Sequence, residues 1–192
     1  LPSHGRVHVL TVYAQFGEEQ GGAPPADASG LFDPQRPGSL AHYYRTMSCG
    51  QLEVAGTVLS KRYSSSSPKT AYLAGAGAAA GGYGKFAQEI VRQVDADVDL
   101  AGFDNDGPDG VPDSGDDDGY VDYVAVIMHS GPPGFIRGNG KGIECLGMNV
   151  DYRSPDRSSS AVRIRVSDLH MPHGCILEEG DFAYTVGHLA HE

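Results

Sequence analysis

The chain has 192 residues, 40% of them hydrophobic, and a formal net charge of -11. That length suits one domain with a real core, and the acidity opposes non-specific binding to nucleic acid. No apolar run approaches the roughly 18 to 20 residues that span a bilayer, so neither a membrane span nor a nucleic-acid partner is expected. The first residue is Leu1 and no basic-then-apolar leader follows it. The chain is therefore expected to begin after a processed leader or inside a longer reading frame.

Residues 6–16 form a β-branched and aromatic run that predicts a buried strand. After a Gly/Pro-rich loop, Ser39 stands where a helix N-cap should, ahead of Leu40 to Met47, and Gly50 ends that helix. Gln51 to Leu59 alternates as a strand, with Leu52, Val54, Gly56 and Val58 on one face. The Ser-rich stretch at 64–67 and the Ala/Gly tract at 74–82 read as a surface loop. Phe86, Ile90 and Val94 make one stripe of an amphipathic helix over 83–94. Tyr120 to Met128 is the most strand-like run and is expected at the centre of a sheet. Residues 161–166 predict a half-exposed strand, and Asp181 a cap for a last helix from Phe182 onward.

Three cysteines leave at least one unpaired. Cys145 and Cys175 flank a loop-rich stretch and could pair if the protein is exported; three buried thiols are the alternative. Tyr43 and Tyr44 read as core residues of an amphipathic helix, and His129 as a buried, hydrogen-bonded histidine. His170 and His173 read as loop residues.

Eight aspartates and no basic residue lie between Asp104 and Asp122. Glycines interrupt them, and such a loop can fold around a cation that takes six to eight oxygens. Without a cation the carboxylates would repel one another. The spacing is not that of an EF-hand, because the third ligand position falls on Pro108 and no glutamate stands at the twelfth. It is closer to the Asp-rich loops of thrombospondin type 3 repeats. Calcium is expected, with Asp104, Asp106, Asp109, Asp113, Asp116, Asp118 and Asp122 as candidate ligands by position.

The sequence ends Gly187-His188-Leu189-Ala190-His191-Glu192. His-Glu opens the motif His-Glu-x-x-His, in which two histidines one helical turn apart bind zinc and the glutamate serves as general base. His188, three residues before His191, reads as a residue that packs or that supports a metal ligand from behind.

In chain order the pieces resemble the immune inhibitor A family of secreted bacterial zinc metalloproteases. The resemblance is carried by the strand closing on Phe16 and by His42-Tyr43-Tyr44-Arg45-Thr46-Met47-Ser48-Cys49-Gly50-Gln51-Leu52. It continues with the Asp/Gly loop running into Val121-Asp122-Tyr123-Val124, then His129-Ser130-Gly131, and lastly Val186 to Glu192. Cys49 and Ser130 depart from the residues usual at those places. The resemblance implies an α+β, zincin-like catalytic domain, a twisted mixed sheet backed by two helices, of which residues 1–192 are the N-terminal part. It further implies His191 as the first zinc ligand, Glu192 as the general base, and the remaining ligands beyond Glu192. Zinc and calcium are the implied metals and proteins or peptides the substrates; a monomeric, secreted bacterial protein is expected. With one zinc ligand the 192 residues alone should be inactive. The rival expectation is a calcium-binding extracellular adhesion module, or a non-catalytic protease homologue, in which His-Glu is incidental.

Overall fold

The computed structural model describes residues 4–105, 107, 109, 114, 117–169 and 174–191. Its centre is strand β1 (Gly5–Gln15), which pairs in parallel with β2 (Leu52–Ser64) on one side and β3 (Tyr123–Met128) on the other. Strand β7 (Gly174–Glu178) adds to β3, again in parallel, and the short β4 (Gly142–Ile143) closes the far edge antiparallel to β7. The order is thus β2-β1-β3-β7-β4. Strands β5 (Tyr152–Arg157) and β6 (Arg163–Val166) form a separate two-stranded hairpin.

Both faces of the sheet are covered, as parallel strands require. Leu10, Val12 and Ala14 of β1, with Val124 and Val126 of β3, face helix α2 (Tyr83–Asp95) and the inner side of the hairpin. The alternate residues Val7, Val9, Tyr13, Tyr123, Ala125 and Ile127 face α1 (Leu40–Met47) and α3 (Phe182–His191). The protein is therefore a mixed α/β structure with a mostly parallel sheet and three α-helices on two faces, where two backing helices were expected.

Local rules account for most of the elements. Ser39 caps α1 by accepting from the His42 N–H at 3.0 Å. Gly50 takes the left-handed φ of 79° just past the helix. The expected stripe of α2, Phe86, Ile90 and Val94, is buried. All six residues of β3 are buried, as its central place demands. It begins at Tyr123, three residues later than its pattern suggested, because Tyr120 bridges to Arg165 instead. Strand β2 runs five residues beyond Leu59, through a break in register between Thr11 and Tyr13 of β1. Gly56 of β2 lies against the Phe32 ring, and a Cβ there would come within 2.4 Å of it, so any larger residue would displace the ring.

Three expectations need correction. Tyr43 is 41% exposed, and its ring meets edge-on that of Tyr44, which does pack against the core. His129 is exposed, its Nδ1 lying 3.6 Å from the Glu179 carboxylate. Cys145 and Cys175 form no disulfide. Cys175 is buried on the α1/α3 side of the sheet, whereas the Cys145 sulfur meets the Tyr83 hydroxyl of α2 at 3.5 Å.

Candidate functional site

Helix α3 ends on His191, and four contacts fix its axis. At its start the Asp181 carboxylate accepts from the Tyr184 N–H at 2.8 Å, the expected cap. The Arg36 guanidinium lies 3.5 Å over the Phe182 ring, a cation–π contact. Val186 and Leu189 bury one side against the sheet. At its end the Tyr44 hydroxyl donates to the Ala190 carbonyl at 3.5 Å, so α1 braces the turn that bears His191.

His191 is exposed at that last turn. His188, one turn earlier, is half-buried. Its ring stacks on Tyr184 with centroids 4.0 Å apart, and Nδ1 donates to the Tyr184 carbonyl at 3.1 Å. A carbonyl only accepts, so the neutral ring carries its proton on Nδ1. This matches the packing role expected for His188. Glu192 lies outside the described residues, as do His170 and His173. Among the described residues no group of three or more His, Cys, Asp or Glu is placed to hold a metal. A catalytic zinc needs three protein ligands, and the described residues around α3 offer His191 alone. They do not make a complete zinc site.

The described part of the acidic segment meets β1 through Asp122. Asp122 uses both oxygens as a clamp, accepting from the Asn105 N–H and from the His8 N–H, each at 2.6 Å. Asp104, fully buried, accepts from the Gly119 N–H at 2.9 Å, which closes the segment on itself. Asp118 accepts from the Tyr120 N–H at 2.8 Å, and Asp109 from the Ser114 hydroxyl at 3.3 Å. Of the seven candidate calcium ligands these four are described; Asp106, Asp113 and Asp116 lie outside the described residues. Two oxygen donors escaped the sequence reading. Asp117 accepts from the N–H groups of Gly107 and Ser114 at 3.3 and 2.6 Å, in the middle of the loop. Asn105 is completely buried. Among the described residues its Oδ1 accepts no hydrogen bond of ordinary geometry, and its side chain opposes the lowering of the His8 pKa. An Asp-Asn-Asp-Gly run directly before a loop was the signal for Asn105.

His8 links this loop to the sheet. Its Nε2 meets the Thr57 hydroxyl at 2.9 Å and its ring the edge of Phe103. Burial, reinforced by the charge of Arg6, holds its pKa below 6.5. The folded state therefore keeps His8 neutral, while the unfolded chain takes up a proton below about pH 6.5. The stability it supports is complete above that pH and is lost as pH falls toward the folded pKa. His8→Gln should accordingly flatten the decline of Tm between pH 7 and 5, measured by thermal melts; equal slopes would show that His8 is not the group responsible.

A second polar cluster, not foretold by the sequence, occupies the C-terminal ends of the parallel strands. The Arg62 side chain is 6% exposed, pairs with Glu179 at 2.9 Å, and donates through Nε to the Gly22 carbonyl at 2.7 Å. Glu178 accepts from Lys141 and from the Gly131 N–H, both at 2.9 Å. Burial pushes its pKa up, and these donors more than reverse that, leaving it lowered. Burial also pushes the Tyr13 phenol up to about 12, with Glu179 adding to the effect.

Compared with models of protein families and with curated proteins, the chain matches none. No helix among the described residues is long and apolar enough to cross a membrane.

Proposed function

We propose that the chain carries the N-terminal part of a zinc-dependent endopeptidase domain of the immune inhibitor A kind, a zincin whose active-site helix begins with α3. One observation supports this above the rest. A helix pinned at both ends, by Arg36 on Phe182 and by Tyr44 on Ala190, turns His191 outward in its last turn, directly before a glutamate. A site that must hold its groups within fractions of an ångström needs such bracing. His191 is suited to be one ligand, with the others supplied from sequence following Glu192. Zinc, when bound, polarises a peptide carbonyl and a water molecule. Glu192 is the group that takes the proton from the attacking water. Proteins or peptides are the substrates, and secretion from a bacterium is the setting.

The test is the coding sequence after Glu192. The reading requires x-x-His next, in a continued helix, with a further His or acidic ligand downstream. A stop codon, or any other residue at that third place, removes the catalytic reading and leaves the calcium scaffold as the function.

Calcium is part of the same proposal. The buried oxygens of Asp104 and Asn105 at the head of the loop suit a hard cation that takes oxygen ligands. Calcium at 100 times its Kd is expected to stabilise the chain by about 2.7 kcal/mol, a rise in Tm of roughly 5–10 °C. Asp104→Asn should abolish that rise. A melt indifferent to both calcium and a chelator would rule calcium out.

A further inference from the structure

The hairpin β5–β6 presents four arginines in two facing pairs. Arg153 stands directly opposite Arg165, and Arg157 opposite Arg163. Ile164 and Val166 occupy the inner side and are buried, as is Ser154. The arginines therefore lie on the outer side, where Arg153, Arg157 and Arg163 are exposed and Arg165 half-buried. Like charges directly across a strand pair destabilise it, so two such pairs in succession work against the fold. Arg165 is anchored, donating to the Tyr120 hydroxyl at 3.0 Å with the Asp151 carboxylate 3.8 Å away. Arg157 donates to the Ala161 carbonyl at 2.7 Å, but Arg153, Arg157 and Arg163 make no ion pair among the described residues, in a chain with 25 acidic residues against 14 basic ones.

We propose that this outer face docks an acidic peptide segment in extended conformation. Facing side chains on paired strands lie about 5 Å apart, and alternate residues along an extended chain about 6.6 Å apart. Carboxylates at alternate positions of a peptide thus repeat at the spacing of Arg163 and Arg165, and a guanidinium grips a carboxylate through two N–H groups. The partner engages side chains and does not add as a strand, because Pro155 interrupts β5 and has no N–H to offer. Long polyanions fit poorly. The acidic segment is tied directly to β6, through Val121 N–H to the Arg165 carbonyl and Arg165 N–H to the Gly119 carbonyl. A uniformly charged polymer overrunning the patch toward Gly119 would be repelled by the carboxylates of that segment. A short acidic peptide avoids them. The inference stands apart from the chemistry assigned to α3.

The test is fluorescence anisotropy of a labelled peptide with glutamate at alternate positions, titrated with the 192-residue chain at about 50 mM salt. A glutamine counterpart, a short DNA duplex and a heparin oligosaccharide serve as comparisons. Saturable binding of the glutamate peptide alone, weakening as salt rises, is expected. Arg157→Glu should weaken it about tenfold with Tm changed by no more than about 2 °C, since turning a like-charge pair with Arg163 into an opposite one offsets the lost hydrogen bond to Ala161. A residue kept only for the hairpin would not separate the two readouts in that way. If that variant melts lower than the parent by more than that, Arg153→Gln replaces it, with the same weakening expected at unchanged Tm. The proposal is overturned by absence of saturable binding or by affinity unchanged in the variant. Tighter binding of DNA or heparin through the same arginines would overturn it as well.

Discussion

Glu192→Gln is expected to lower peptide hydrolysis by about 10²–10⁴-fold in the protein that carries the full ligand set, with zinc content and Tm unchanged. The amide is isosteric and cannot take a proton, so the substitution removes proton transfer and little else. His191→Ala should behave differently and lose bound zinc together with activity, because the imidazole is a ligand. The contrast is informative because the described contacts that hold α3 come from other residues. Its hold comes from Val186 and Leu189 on the sheet, the Asp181 cap, and the contacts from Arg36 and Tyr44. Metal content measured beside kcat separates the two roles. A glutamine variant as active as its parent would sink the proposed role of Glu192, and zinc lost from it would make Glu192 a ligand.

What could be read ahead of the structure followed the range of the forces involved. The α2 stripe, the Ser39 and Asp181 caps and the buried run of β3 are local patterns; the first three are found where they were expected, and β3 starts three residues late. Strand β7 was missed because a five-residue segment buried on both faces has no alternation to read. The end of β2 was missed because Ser60, Lys61 and Arg62 follow the register break, where the polar pattern resembles a loop. Pro155 disguised β5 in the same way. Within the candidate sites, the residue types at α3 and in the acidic loop were legible. Their partners were not. The Asp122 clamp reaches His8 across 114 residues, and the brace on Ala190 comes from Tyr44, 146 residues earlier. The arginine face needed the cross-strand register of a hairpin of which only one strand had a visible pattern.

Phe86→Ala is expected to cost about 3–5 kcal/mol, the largest loss of stability among the substitutions considered. The ring is completely buried and stands edge-on to three others, with centroids 5.3 Å from Phe16, 5.4 Å from Tyr72 and 5.5 Å from Phe135. Phe16 and Phe135 also meet edge-on at 5.0 Å. The four rings join the end of β1, helix α2 and two loops, so truncation leaves a hole lined by rigid aromatics that cannot collapse into it. Edge-on ring pairs add about 0.5–1.5 kcal/mol each beyond area burial, which places the cost toward the upper end. Against a total stability of about 5–15 kcal/mol, the variant would keep little margin. Phe86→Leu, which fills most of the volume and loses only the ring contacts, should cost well under half as much. Urea unfolding of both variants decides the matter through the midpoint at constant slope. Equal losses for leucine and alanine would mean that ring geometry, and not volume, holds this corner of the core.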